Sequence, residues 1–519
     1  MKPVEERQKK IQQFIVNAEQ MSAIEGRLFD AGMPVAALME KAAGLVAQRI
    51  HALYPPEKAS RVGVLVGPGH NGGDGLVVAR ELHFKGYEVT IYRPLSKCKE
   101  LTGKHAEYVA SLGIRFSDNI EWLETCDVVV DGLFGFGLER PLEGAIADAV
   151  NQLVRWNKLI VSIDMPSGLH TDTGEVLGTA VRATHTLCLG LWKLGLLQDK
   201  ALDYVGEAEL IDFGIPLADI EAVLTDRPSL GRITPERAIA HLPLSRASST
   251  HKYKQGHLLL FCGSRRYTGA AILCGLGARA SGVGMLSIAV PESLKPYMSD
   301  RLADAIVIGC PETDSGAIAQ LPDSVDLGSF DAIGGGCGLT RDAESVVKAA
   351  IESDRPLILD ADGLNILAQM NAIAALSPRQ SFTLLTPHPG EFKRLFPDIA
   401  QAETQAASAA RAASSQSGAV VLLKGARTAI AHPDGSLEIN PQSTPALARG
   451  GSGDVLTGLA SGLIAQAIAR QSPVAPCVQS AVWWHAQAAI LAAQDRTLLG
   501  VDAVTLSDYL VRALPSLVS

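Results

Sequence analysis

The chain reads as a two-domain α/β protein, and three features carry that reading. At 519 residues it exceeds the size at which a single hydrophobic core keeps growing. Strand-like runs alternate with helix-like runs twice over, first between residues 61 and 195 and again from residue 257. Between the two, residues 225–243 (TDRPSLGRITPERAIAHLP) turn polar and Pro-punctuated. That places the boundary between 226 and 227 and gives domains of residues 1–226 and 227–519.

The composition is that of a globular protein, 47% hydrophobic and 19% charged. Aromatics make up only 5% while glycines number 49, which suits close helix–sheet packing better than the stacking platforms of a nucleic-acid reader. Forty-six basic against 55 acidic residues leave a net charge of −9, so neither nucleic acid nor an anionic membrane is an expected partner. The eight cysteines form no C-x-x-C pair, and several sit in apolar runs, as reduced core cysteines of a cytoplasmic protein would. The opening MKPVEERQKK mixes acids with bases and leads into no apolar segment, unlike a signal peptide. The apolar run over 269–290 is broken by Arg279, so no membrane span is expected.

In the first domain, Leu38, Met39, Ala42, Leu45, Val46 and Ile50 recur at helical spacing, with a break at Gly32-Met33-Pro34. Residues 11–50 are therefore expected to form two helices, and the apolar stripe over 35–46 suggests a homo-oligomer. Residues 61–67 (RVGVLVG) predict a strand, 68–75 a loop, 76–83 a helix and 87–92 (YEVTIY) the next strand. That is the βαβ unit of a doubly wound parallel sheet. The glycines at 67, 69, 72, 73 and 75 do not follow G-x-G-x-x-G, and Asn71 and Asp74 are more than a phosphate cradle requires. Further strands over 127–130, 159–163 and 184–189 lead to Asp131, to Asp164 with Ser167, and to Lys193. Ligands of an open parallel sheet lie outside the carboxyl ends of its strands, so Asn71, Asp131, Asp164, Ser167 and Lys193 are expected at one edge. Each alone would pass for a turn or cap residue. Together they suggest a site, and a donor set without His or Cys suits K⁺ or Mg²⁺ better than zinc.

Past the boundary and a short helix over 235–241, strands are expected over 257–262, 285–290, 305–309, 331–333, 356–359, 383–385 and 419–423, with a small-residue helix over 269–281. A hairpin over 428–431 and 437–439 turns at Asp434-Gly435. Then comes TPALARGGSGDVLTG (444–458), where Gly450, Gly451 and Gly453 permit close backbone approach and a helix is expected from Asp454 to about residue 466. A helix start attracts anions, so an aspartate there opposes phosphate unless a base is needed beside it. An N-capping Asp is the plain alternative. His388 between prolines, then Lys424-Gly425-Ala426-Arg427-Thr428, then the 450–454 loop would give one sheet edge a base, phosphate donors and nucleotide contacts. Such a layout serves phosphoryl transfer by positioning and electrostatics, without a Walker A motif.

The segments HNGGDG (70–75), VDGLFGFGLERP (130–141) and IDMPSGLHTDTG (163–174), with AEQM and LMEKAA in the leading helices and ELIDFGIP at the close, resemble the YjeF N-terminal domain, the NAD(P)HX epimerase, over about residues 10–216. The resemblance implies a Rossmann-like doubly wound sheet and a K⁺ site at Asn71, Asp131 and Ser167. It implies hydrate contacts from His70, Asn71, Gly72, Gly73 and Asp74, from Gly135, Phe136, Gly137, Leu138, Glu139, Arg140 and Pro141, and from Asp164. Asp164 is the expected proton-transfer residue, with Lys193 a second. His70 stands where that family usually has Asn, and its peptide N–H can still serve.

YTGAAILCGLGARASGVGM (267–285), LDADGLN (359–365), LTPHPGEF (385–392), LLKGART (422–428) and ARGGSGDVLTG (448–458) resemble the ribokinase superfamily, and within it the ADP/ATP-dependent NAD(P)HX dehydratases, over about 245–515. This implies a ribokinase-like α/β sandwich with Asp454 as catalytic base. It also implies hydrate contacts at Ala271, Gly338, His388 and Asp454, and adenylate contacts at Lys424, Gly425, Ala426, Arg427, Thr428 and Gly453. Mg²⁺ would arrive with ADP or ATP. The family's GPGLG is GGGCG here (334–338), and its TGNPG is TPALA (444–448). The two resemblances imply one task. The first domain would interconvert the R and S epimers of hydrated NAD(P)H, and the second would phosphorylate the S hydroxyl and eliminate phosphate. The alternative is a ribokinase-class small-molecule kinase fused to a ligand-binding Rossmann-like module, against which LTPHPGEF argues.

Overall fold

The computed structural model describes residues 3–224, 230–403 and 405–518. Contacts divide the chain into Met1–Leu230 and Gly231–Ser519. The expected 226/227 boundary lies outside the described residues.

The first unit contains strands β1 (Ile15–Val16), β2 (Arg61–Val66), β3 (Glu88–Tyr92), β4 (Arg115–Ser117), β5 (Val128–Gly132), β6 (Leu159–Ile163), β7 (His185–Leu189), β8 (Trp192–Lys193) and β9 (Glu207–Ile211). Seven of them form one all-parallel sheet in the order β4-β3-β2-β5-β6-β7-β9. Strands covered on both faces need apolar residues in unbroken runs, and β2 (RVGVLV), β5 (VVVDG) and β6 (LIVSI) supply them. The order reverses between β2 and β5, so the C-terminal ends of β2, β5, β6 and β7 stand side by side at the switch point. β1 and β8 form a separate two-stranded parallel ladder that ties Val16 to Lys193.

Two local expectations need correction. Residues 11–50 hold a short strand and the helices Ala18–Asp30 and Val35–Leu53, after a helix Pro3–Ile11 that ends where a helix had been expected to begin. Asn17 and Gln20 form a capping box that starts Ala18–Asp30. Residues 70–75 are not a loop, because the helix His70–Phe84 already begins at His70. Its glycines serve close packing. A Cβ on Gly72 would lie 2.0 Å from the Gly67 carbonyl oxygen, and one on Gly73 would lie 2.7 Å from the Met39 sulfur. The apolar stripe of Val35–Leu53 is largely covered within the unit, since Met39, Ala42, Ala43, Val46, Ala47 and Ile50 are all buried. Val35, Leu38 and Leu45 of the stripe stay partly exposed.

The second unit builds on strands β10 (Leu230–Arg232), β11 (His257–Phe261), β12 (Met285–Pro291), β13 (Ile306–Cys310), β14 (Ala332–Gly335), β15 (Leu357–Leu359), β16 (Thr383–Leu385), β17 (Val420–Leu423), β18 (Ala429–Ala431) and β19 (Leu437–Ile439). They form one sheet ordered β10-β19-β18-β17-β16-β15-β14-β11-β12-β13. β11 to β17 run parallel, while β18 and β19 form the expected antiparallel hairpin. The helix expected from Asp454 begins at Ser452 and runs to Ala469. It packs against Thr268–Ala280 at a crossing made of glycines: a Cβ on Gly458 would fall 1.8 Å from the Cys274 carbonyl, and one on Gly277 2.1 Å from that of Val455. With backbone on the far side nothing can yield cheaply. Gly458→Ala is expected to cost about 3 kcal/mol, read as a lower denaturant midpoint in chemical unfolding of the full chain.

Candidate active sites

In the first unit, the parallel strands deliver their terminal side chains to one cavity of about 660 Å³. Asp164 follows β6 in the left-handed region (φ 68°), a strained backbone for a residue with a Cβ. That conformation turns its carboxylate back across the sheet edge. Oδ2 accepts from the Phe136 N–H at 2.9 Å; Oδ1 accepts from the Leu189 N–H at 3.2 Å and from Lys193 Nζ at 2.5 Å. Lys193 is fully buried and also donates to the Leu189 carbonyl. Burial, the largest single influence, acts to lower its pKa, and Asp164 together with Cys188 and Glu25 raises it, so the net shift is upward. Gly135 lets the chain pass over this pair: a Cβ there would stand 2.9 Å from Asp164 Oδ2 and 3.2 Å from Asn71 Oδ1.

The cavity brings together His70, Asn71, Asp74, the run from Gly135 to Arg140, Asp164 and Lys193. Other expected contacts lie elsewhere. Gly72 and Gly73 are buried beneath the helix start, and Pro141 is exposed beyond the lining. Sequence reasoning missed Glu25 and Lys99, which also line the cavity. Glu25 lies four residues after Met21 in the AEQM helix, a position that helical periodicity marks as sharing its face, but periodicity does not say that the face borders a site.

Asp131 and Ser167 are buried outside the lining, whereas Asn71 belongs to it. Asp131 is fully buried at the end of β5, and its two oxygens accept four hydrogen bonds: from Ser162 Oγ (2.8 Å), Ser167 Oγ (2.6 Å), the Ser167 N–H (2.9 Å) and the Leu133 N–H (3.2 Å). Burial raises its pKa, and the serine bonds act against that rise. Asn71 Nδ2 is buried without a hydrogen-bond partner. A carboxylate, a hydroxyl and an amide oxygen are hard donors and suit a monovalent cation better than a soft metal, whereas the unpaired Nδ2 is an N–H donor and holds no cation.

The second unit repeats the logic on a different sheet. Asp360 directly follows β15 and is buried. Its Oδ1 accepts from Lys424 Nζ (2.7 Å) at the end of β17 and from the Ala361 N–H (2.8 Å). Its Oδ2 accepts from Thr457 Oγ1 at 2.6 Å, on the helix that carries Asp454. The sequence had placed Asp360 in a motif without giving it a role; it ties the ends of two strands to that helix. Burial pulls the Lys424 pKa down, Asp360 and Glu391 push it up, and the rise prevails. A Cβ on Gly453 would lie 3.4 Å from Lys424 Nζ, so the ammonium sits beside the first turn of the helix.

Asp454 is the third residue of that helix. Gly451, in the left-handed region (φ 92°), is the cap, so the capping role does not fall to Asp454. Burial first, then Cys337 and Asp360, push the Asp454 pKa up to about 9, with Lys424 acting against them. Behind it the buried His485 bonds through Nε2 to the Ser452 carbonyl at 2.9 Å, and burial lowers its pKa to about 4. A neutral imidazole thus pins the first turn.

His388, at the end of β16, caps the helix Pro389–Leu395. Its Nδ1 accepts from the Gly390 N–H at 3.0 Å, while Glu391 accepts from the His388 N–H at 2.8 Å. The ring is exposed, and with Nδ1 accepting, its proton lies on Nε2. Gly338 (φ 66°) lies beyond β14. Gly425 and Ala426 are exposed past Lys424, whereas Arg427 and Thr428 are half-buried. Ala271 has no exposed surface, so it backs the wall near Gly263 and offers a ligand no atom.

The chain is thus a two-part α/β protein: a doubly wound parallel unit with a buried Asp–Lys pair in a cavity, and a second, mostly parallel unit with an anion-receptive helix start beside a half-buried lysine. The family described as NAD(P)H-hydrate dehydratase matches residues 258–512, and that described as YjeF-related protein N-terminus matches residues 35–195. The bifunctional NAD(P)H-hydrate repair enzyme Nnr of Thermosynechococcus vestitus is 51% identical over 500 residues, covering 96% of this chain and 97% of that protein. Its counterpart in Synechocystis sp. is 52% identical, over 96% and 94%. A solved ADP/ATP-dependent NAD(P)H-hydrate dehydratase from Bacillus subtilis, co-crystallised with ATP/Mg²⁺, is 34% identical, covering 55% of this chain and 98% of its own at a TM-score of 0.48. The chain belongs to the bifunctional NAD(P)H-hydrate repair enzymes.

Proposed function

We propose that the first unit interconverts R- and S-NAD(P)HX and that the second converts S-NAD(P)HX to NAD(P)H at the expense of ADP or ATP. The observation that carries the second activity is Asp454 in the first turn of Ser452–Ala469, beside Lys424. N–H groups at this helix start bind the terminal phosphoryl group, and Asp454 accepts the proton of the hydrate's C6 hydroxyl as its oxygen attacks phosphorus. Phosphate then leaves C6 with the C–O electron pair, a proton leaves C5, and the C5–C6 double bond of NAD(P)H returns. Lys424, Gly425, Ala426, Arg427, Thr428 and Gly453 hold the nucleotide, which brings Mg²⁺ as part of the substrate. Gly338 and His388 meet the hydrate.

In the first unit Asp164 and Lys193 handle protons, with His70, Asn71, Asp74 and residues 135–140 around the hydrate. Asn71, Asp131 and Ser167 are the residues that would hold K⁺, which would offset the buried charge of Asp131. Among the described residues no helix is long and apolar enough to cross a membrane. A cytoplasmic location and a homo-oligomer belong to the same proposal, and sedimentation velocity tests the latter. The deciding experiment follows absorbance at 340 nm of mixed-epimer NADHX with Mg²⁺ and either nucleotide. Full recovery of NADH supports both activities, and the faster nucleotide identifies the donor. Recovery of the S fraction alone overturns the epimerase, and a stable phosphoester overturns the dehydratase.

A further inference from the structure

Inversion at a single carbon requires a group to leave from one face and return to the other, so an epimerase site needs proton-transfer groups reaching the carbon from more than one wall. The sheet edge supplies the Asp164–Lys193 pair. A second wall of the same cavity is the helix Ala18–Asp30, which contributes Ser22, Glu25 and Phe29. Of these only Glu25 can hold or release a proton near neutrality. We infer that Glu25 is the second proton-transfer residue of this site, acting from the helix wall while Asp164 acts from the sheet edge. The inference rests on the epimerase reading of the first unit.

Three observations carry it. Glu25 lines the cavity together with Asp164 and Lys193. Among the described residues its carboxyl makes no hydrogen bond or ion pair, whereas Asp131, Asp164 and Glu40 are each held by protein partners. A carboxyl brought into a cavity with no structural partner is placed for a ligand. Burial, with Asp164 adding to it and Lys193 opposing it, brings its pKa up to about 7, so both its forms are populated near neutrality. The charged and titratable groups that line the cavity with it are Asp164 and Lys193 from the sheet edge, Asp74 and His70 from His70–Phe84, and Lys99, Glu139 and Arg140 from connecting segments. On the helix Leu217–Leu224, packed against its own, Asp219 and Glu221 are taken up by Arg27 and Lys10.

The step balances as follows. The C6 carbon of the hydrate carries a hydroxyl next to ring nitrogen N1. Protonated Glu25 gives its proton to that hydroxyl. The C6–O bond breaks with its electrons on oxygen, water is released, and the N1 lone pair forms a C6=N1 iminium. Water adds to the opposite face, the iminium electrons return to N1, and the added water passes a proton to Asp164. Glu25 is left ionised and Asp164 protonated, which is the form that runs the reverse direction.

Glu25→Gln in the full chain tests this. With mixed-epimer NADHX, Mg²⁺ and nucleotide, the S epimer recovers in a fast phase and the R epimer in a slow phase set by epimerisation. The variant should slow the slow phase by about 10²-fold through kcat with KM little changed, and leave the fast phase as it was. The wild-type slow phase should fall as pH rises through about 7, and the variant should lose that limb. Glu25→Asp should recover part of the rate. Since no protein partner is lost, thermal unfolding of Glu25→Gln should match wild type, which separates chemistry from misfolding. A slow phase within twofold of wild type, or a change in KM alone, overturns the role of Glu25. A wild-type slow phase no faster than the uncatalysed exchange overturns the epimerase reading itself.

Discussion

In Asp454→Asn, nucleotide-driven recovery of NADH falls by about 10³-fold while exchange between epimers keeps its wild-type rate. Asparagine preserves the volume and the helix start but cannot take the hydroxyl proton. Its pH profile identifies the group. In the unliganded site burial, Cys337 and Asp360 place the Asp454 pKa at about 9. A base works in its ionised form, so below that value only a fraction of the resting enzyme is competent. The dehydratase kcat/KM should therefore rise about tenfold per pH unit between 7 and 9 and level off above. The Asn variant should lack that slope. Stability runs the other way: between 3.8 and about 9 the folded chain holds a proton that the unfolded chain has lost, so stability declines as pH rises across that window. A flat rate profile with an unchanged rate would remove Asp454 from the chemistry.

Asp164→Asn has the second large effect, and it acts on activity and stability together. The ammonium of Lys193 has no exposed surface, and Asp164 is its only acidic ion-pair partner among the described residues. Removing one member of a buried pair leaves the other charge uncompensated, at a cost of about 3–5 kcal/mol. It should appear as an earlier unfolding transition in denaturant. Epimer exchange should fall by about 10²- to 10⁴-fold, while consumption of the S epimer continues. Asp164→Asn with Lys193→Met separates the two effects. The double variant should regain most of the stability and none of the epimerase activity. An unchanged denaturant midpoint in the single variant would show that the lysine does not depend on this carboxylate.

Much of this was legible in the chain. The strands over 159–163 and 383–385 begin and end where the apolar runs do, because a strand buried on both faces is an unbroken apolar segment. Asn71, Asp131, Asp164, Ser167 and Lys193 were expected at one edge because parallel strands share a direction; the structure brings Asn71, Asp164 and Lys193 to one cavity and leaves Asp131 and Ser167 buried outside its lining. The helix starts read less well. Residues 70–75 look like a loop because glycine signals both turns and close packing, and only the position of the Gly67 carbonyl and of Met39 distinguishes the two. Asp360 and Ala271 went astray in opposite directions. The first sits in a motif with no visible partner until Lys424 and Thr457 fold onto it, and the second is sealed behind the wall it was expected to line.

The sequence by itself determined the two α/β units, their strand order of appearance and the family motifs, since these depend on local periodicity and on residues adjacent in the chain. The tertiary structure alone decided which acids are paired and which are left for a ligand. Asp164 and Lys193 are 29 positions apart, and Lys424 and Asp360 are 64 apart. Glu25 reaches the cavity on a helix more than a hundred residues ahead of Asp164. Charge, burial and hydrogen bonding depend on distance in space, and residues this far apart along the chain become neighbours only when the sheets form.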